Sequence, residues 1–141
     1  MLTLPGKFLL FLIWLLALTA CTTPPSPLNT PQPSATAGTQ ETERAAIIRM
    51  EQEVRTLAKI DGCADSRQCS AIPVGVKACG GPRFWLAYCP LTTDVAALTR
   101  RVEELRVLED TFNRTYHIVS DCSLVGHTAL VSVGGTCQFA Q

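Results

Sequence analysis

The sequence predicts a small α+β domain, two helices packed on a short antiparallel sheet and braced by disulfides. Three observations predict it. Apolar residues recur at helical spacing in two stretches, 41–59 and 94–116. Short alternating or aromatic runs lie at 72–76, 84–88, 128–133 and 136–139. Six cysteines fall between 63 and 137, and that density suits a small exported domain whose apolar core is limited.

The first helix is expected over Glu41–Lys59, where Ile47, Met50, Val54, Leu57 and Ala58 form one face. Glu41 and Glu43 lie in its first turn and Arg55 and Lys59 in its last, which suits the helix dipole, and Gly62 supplies a stop. Residues 61–68 (DGCADSRQ) read as a polar loop. Ile72, Val74 and Val76 alternate as in a strand, and Pro73, which has no N–H to donate, confines that strand to an edge or an extended entry. Cys79-Gly80-Gly81-Pro82 marks a turn, and Phe84–Tyr88 (FWLAY) is the strongest strand signal in the chain.

Thr92-Thr93-Asp94 then caps a second helix that runs to about Tyr116. Its stripe is Val95, Leu98, Val102, Leu105, Leu108, Phe112 and Tyr116. The stripe lasts about three heptads, so packing on the domain's own sheet competes with a coiled-coil role. After Ser120-Asp121-Cys122, strands near 128–133 and 136–139 flank Gly134-Gly135, a hairpin signal.

The 141 residues divide into three regions: 1–20, 21–40 and 41–141. Residues 22–40 carry five of the nine prolines and no charge, a composition that favours an extended spacer; a proline-motif ligand is the other reading. The whole chain has 12 basic and 12 acidic side chains, and region 41–141 contains all of them except Lys7. Its charge of −1 and the lack of a basic patch give no reason to expect a nucleic-acid partner.

An unbroken apolar run, Phe8–Leu18, follows Lys7 and ends at Leu18-Thr19-Ala20-Cys21. Its length suits the core of a signal peptide and falls short of the roughly 18–20 residues that span a bilayer. The four residues LTAC resemble the lipobox of bacterial lipoproteins. The resemblance implies cleavage between Ala20 and Cys21, a diacylglyceryl thioether on Cys21 and acylation (palmitate-type) of the new amine. An ordinary secreted protein is the competing reading. Lipidation of Cys21 also accounts for the odd cysteine among seven, leaving six to pair. In Gram-negative lipoproteins an Asp after the modified cysteine retains the protein at the inner membrane. Thr22 stands there, which implies an outer-membrane, periplasm-facing location.

Cys63, Cys69, Cys79, Cys89, Cys122 and Cys137 are separated by 6, 10, 10, 33 and 15 residues, and neither histidine falls between closely paired cysteines. That spacing favours three disulfides over a metal site, and no cofactor is expected. Fifteen connectivities are open.

Cys63 and Cys69, the stretch Gly75-Val76-Lys77-Ala78-Cys79-Gly80-Gly81-Pro82, the strand ending Leu86-Ala87-Tyr88, Asn113, and Ser120-Asp121-Cys122 carry a further likeness. They resemble a group of small, mostly uncharacterised bacterial exported proteins and lipoproteins. That group shares K-x-C-G-G-P, an aromatic strand, a long helix and S-D-C. The likeness covers residues 63–122 and implies no activity. Cys89 stands where the group usually has serine, and Cys137 is additional. Their joint arrival suggests Cys89–Cys137, with Cys63–Cys69 closing the polar loop and Cys79–Cys122 pinning the glycine turn.

Gly80, Gly81, Pro82, Arg83 and Trp85 are the candidate partner-binding residues. A rigid turn beneath a disulfide, with Arg83 at its tip and aromatics behind it, resembles interface hot spots in composition, although Phe84 and Trp85 serve equally well as core. Catalysis would need a convergent acid–base set from Asp61, Asp65, Asp121, His117 or His127, and no motif joins them. Glu103 and Glu104 are expected on the solvent side of the long helix, and Asp121 in a turn that accepts backbone amides. Two non-catalytic functions remain. One is an accessory lipoprotein that binds another envelope protein. The other is an inhibitor of a hydrolase, a lysozyme or protease, through the loop at Cys79–Arg83.

Overall fold

The computed structural model describes residues 35–141. The apolar run, Cys21 and the proline-rich stretch as far as residue 34 lie outside the described residues. Helix α1 spans Ala35–Leu57 and helix α2 Val95–Thr115. Strands β1 (Ser70–Val74) and β2 (Phe84–Tyr88) form one antiparallel ribbon, and β3 (Leu130–Val133) and β4 (Thr136–Phe139) form another. A 3-10 turn occupies Ser66–Gln68. No helix among the described residues is long and apolar enough to cross a membrane. The α+β class, the two helices and the disulfide bracing are as the sequence predicts.

Helix α1 starts six residues earlier than the charge pattern indicates. Its first turn holds no acidic residue, so Glu41 and Glu43 sit inside the helix and not at its dipole end. Glu51 and Arg55 form an i,i+4 pair near its end. The helix stops at Leu57, five residues before Gly62; Gly62 instead takes φ +101° and donates its N–H to Gly135 O. Helix α2 begins where its cap indicates, the Asp94 carboxylate accepting from the Ala97 N–H at 2.9 Å.

The main core is the contact between the two helices and the first ribbon. Val54 of α1 and Ala58 just after it meet Leu98 and Leu105 of α2 and Val74 of β1, and Ile72, Phe84, Leu86 and Val102 pack around them. Val54, Val74, Leu98 and Leu105 are wholly buried. Of the predicted α2 stripe, Leu98, Leu105 and Phe112 are buried, whereas Val95 lies at the exposed margin. Pro73 pairs across from Trp85 in a two-stranded ribbon, where no third strand calls on its missing donor.

The predicted single sheet is two ribbons. Segment 59–63 lies between them and satisfies both: Cys89 N–H donates to Lys59 O, Cys137 N–H to Ile60 O, and Asp61 bridges Thr136. Beside this segment the disulfides Cys63–Cys89 and Cys69–Cys137 form a second buried cluster with Leu130. This corrects two expected pairings, Cys89–Cys137 and Cys63–Cys69. The 63–69 loop is closed instead by a capping box, in which Asp65 accepts from Arg67 N–H and Gln68 returns to Asp65 N–H. Segment 59–63 carries Cys63 to the end of β2, where Cys89 lies. Cys79–Cys122 is the third bond, as expected.

Candidate functional site

The site is built on the segment that follows β1. Gly75 adopts φ +72°, which turns the chain toward the C-terminal half of α2. A Cβ on Gly75 would lie 2.5 Å from Glu109 Oε2 and 2.8 Å from Arg83 Nε. Only glycine leaves room for that pair. Glu109 is 4% exposed, and its Oε2 accepts from Val76 N–H at 2.6 Å while its Oε1 accepts from Arg83 Nε at 2.9 Å. The same guanidinium donates to Glu51 Oε2 at 2.5 Å, so Arg83 ties α1, α2 and the turn before β2 together. Asn113, one helical turn beyond Glu109, donates its side-chain amide to Val76 O. No buried side-chain nitrogen or oxygen among the described residues lacks a partner.

Electrostatics follow this geometry. Burial works to raise the Glu51 pKa, but hydrogen bonds from Arg83 and Arg55 prevail and hold it below the usual carboxylate range. Burial likewise opposes the charge on Arg83, and the bonds to Glu109 and Glu51 overcome it and push its pKa up. Arg55 and Arg83 also lie over the Phe84 ring, 4.3 and 5.5 Å from its centroid.

The second half of the site is the loop pair. Lys77 Nζ, on a side chain only 14% exposed, donates to Asp121 Oδ1 at 2.6 Å and to Ser123 O and Oγ at 2.9 Å. Asp121 also accepts from Ser123 N–H, the turn contact expected of it. Lys77 and Ser123 together draw the Asp121 pKa down to about 2. Lys77 N–H donates to Gly81 O and Gly80 N–H to Lys77 O, which closes the turn. Gly80 and Gly81 have φ +92° and +74° with open space around them, so backbone conformation, not close approach, selects glycine there.

Gly75, Lys77, Cys79, Asn113, Asp121 and Cys122 of the motif therefore come together at one end of the domain, whereas its Cys63 and Cys69 lie in the separate buried disulfide cluster. A groove of about 440 Å³ runs there between Val76–Ala78 and Ile118–Asp121. It adjoins a second of about 260 Å³ that extends over Ile47, Ile48 and Phe112. Val119 on the groove wall is 91% exposed and Leu124, beside the glycine turn, 100% exposed. A wider cleft of about 770 Å³ lies between α1 and α2, where Arg101 is neutralised by Glu53 and Glu104.

Of the candidate partner-binding residues, Gly80 and Gly81 are exposed and Pro82 half-buried. Arg83 is also exposed, its side chain to 37%, but its guanidinium is bonded to two carboxylates, Glu51 and Glu109. Trp85 is half-buried, donates Nε1–H to Val125 O at 2.8 Å and meets His127 edge-on at 4.5 Å. It thus fixes the 118–129 segment from within. The candidate acid–base residues serve elsewhere: Asp61 accepts from Thr136, Asp65 caps the 3-10 turn, and Asp121 holds Lys77. Glu103 and Glu104 are exposed and paired with Arg106 and Arg101. The Cys63, Cys69 and Cys137 sulfurs lie within 4.8 Å of one another, but as members of two disulfides they offer no thiolate to a metal.

Glu109 escaped the sequence reading. Its signal is its place at i+4 from Leu105 and i−3 from Phe112, in the middle of the apolar stripe, where an ionisable residue demands a buried cation. Comparisons with protein-family models, curated proteins and solved structures find no match to this chain.

Proposed function

We propose that the chain is a cell-envelope lipoprotein held at the outer membrane through lipid on Cys21, facing the periplasm. Its domain acts as a non-catalytic module that binds another envelope protein. The leader and LTAC junction support the anchor. The observation that carries the binding role is the convergence of most of the motif on one braced end, where Val119 and Leu124 stand exposed beside an exposed glycine turn. Exposed apolar side chains set on a rigid, polar-rimmed surface favour protein contact, and bracing lowers the ordering cost of binding.

The inhibitor reading asks for a guanidinium presented to a cleft. Arg83 is engaged by Glu51 and Glu109, so a plug at this loop would consist of Gly80, Gly81 and Pro82.

Affinity capture from cells cross-linked in their own envelope tests the proposal. One dominant envelope partner is expected with the native chain, and its yield should fall sharply with Leu124→Asp, a change at a fully exposed position that spares the fold. Cys21→Ala should leave the membrane fraction. A partner retained by Leu124→Asp would move the contact elsewhere, and no partner above background would overturn the interaction role. A captured hydrolase that the domain inhibits would promote the second reading.

A further inference from the structure

The three disulfides differ in their surroundings. The sulfurs of Cys63–Cys89 and Cys69–Cys137 belong to residues between 0 and 9% exposed, packed against Leu130 and one another. Cys79 and Cys122 are both exposed and line the glycine-turn cavity with Leu124 and Val125. Thiol–disulfide exchange needs in-line access of a thiolate to sulfur, and the buried pairs deny it. The two segments that carry the exposed pair are also tied by an ion pair. Lys77 is held by Asp121 and Ser123, the neighbours of Cys122 on either side, and is itself two residues from Cys79. Cys122 also sits at φ +55°, a conformation that a residue with a Cβ adopts only when held there.

We propose that Cys79–Cys122 is a redox clasp, a site of exchange with dithiol reductants that controls the shape of the motif end. A reductant thiolate attacks one of the two sulfurs and forms a mixed disulfide. The Cys79–Cys122 bond breaks, its electron pair leaves on the other cysteine, and that thiolate takes a proton from water. The reductant's second thiolate then displaces the remaining cysteine. The products are two cysteine thiols and an oxidised reductant, a two-electron change. Opening removes the covalent tie between the glycine turn and segment 118–126. It leaves that segment held by Lys77 to Asp121 and Ser123, by Trp85 to Val125 and by Ile118 N–H to Asn113 O. The core and the two buried bonds stay in place, so the groove changes while the fold persists.

The test uses the full-length chain in detergent, equilibrated with graded ratios of reduced to oxidised dithiothreitol, trapped with iodoacetamide and mapped by mass spectrometry. Cys79 and Cys122 are expected to become alkylated at a reductant ratio roughly tenfold lower than the other four, which corresponds to about 30 mV. Hydrogen exchange at that ratio should quicken in residues 118–126 and stay slow in α2. Opening of Cys63–Cys89 or Cys69–Cys137 at the same or a lower ratio would overturn the assignment. So would unchanged protection of 118–126 once Cys79–Cys122 is open.

Discussion

The two ends of this domain are held by different physics. At one end Val54, Val74, Leu98 and Leu105 are wholly buried in the main core, and two buried disulfides form a separate cluster with Leu130. At the other, a glycine, a buried carboxylate, an arginine, a lysine and one exposed disulfide hold the loops in place. Apolar burial is non-directional and spread over many contacts, so it tolerates small shifts. Charge-assisted hydrogen bonds are directional and few, and losing one member strands the others. The first arrangement gives a frame, and the second gives a surface whose shape depends on a handful of atoms.

The contrast breaks most visibly at the core. Leu105→Ala removes a wholly buried side chain where α2 faces α1 and β1, and should lower unfolding stability by about 2–5 kcal/mol in a denaturant titration. Glu109→Gln should cost about 2–3 kcal/mol, because it keeps an acceptor for Val76 N–H but leaves Arg83 with Glu51 as its remaining anionic partner. A loss below about 0.5 kcal/mol for Glu109→Gln would show that the buried ion pair does not organise the motif end.

Two glycines of one motif sharpen the comparison further. Gly75→Ala meets both an unfavourable φ and a Cβ contact of 2.5 Å to Glu109, so it should cost about 2 kcal/mol or more and disturb Arg83 as well. Gly80→Ala meets the φ penalty in open space and should cost about 1 kcal/mol with Arg83 undisturbed. Equal thermal shifts for the two variants would remove the special status of the Gly75 contact.

The parts legible in the sequence are those with local causes. The Asp94 cap, the aromatic run of β2, and Gly134-Gly135 in the hairpin each act within a few residues, and each stands where expected. The start of α1 was hidden because Ala35–Gln40 carries no charge and continues the composition of the proline-rich stretch, although it lies just after Pro33. The disulfide partners Cys63–Cys89 and Cys69–Cys137 were hidden because segment 59–63 sets them through long-range backbone bonds that no spacing encodes. For the site, the candidate binding residues were Gly80 to Arg83 and Trp85, yet the residues that organise it are Gly75 and Asn113, which the motif contains, and Glu109, which it does not. Their roles depend on α2 crossing the end of β1, a tertiary event.

Acid should loosen the motif end before the core, and Asp121 gives the smallest of these effects. Lys77, then Ser123, lower its pKa from 3.8 to about 2 in the folded state. A carboxylate with a depressed folded pKa stabilises the fold fully above its unfolded value. That contribution is lost as the pH falls from about 4 toward 2, when the folded state must also take up the proton. Glu51, also held below its ordinary value by Arg83 and Arg55, acts in the same direction over an overlapping acid range. Asp121→Asn should therefore lower Tm by roughly 1–3 °C near neutrality, a small change because the side chain is 71% exposed and screened by solvent. The gap between the two proteins should close as the pH approaches 2. A gap that persists at pH 2 would mean that Asp121 acts through its turn geometry with Ser123 and not through its charge on Lys77.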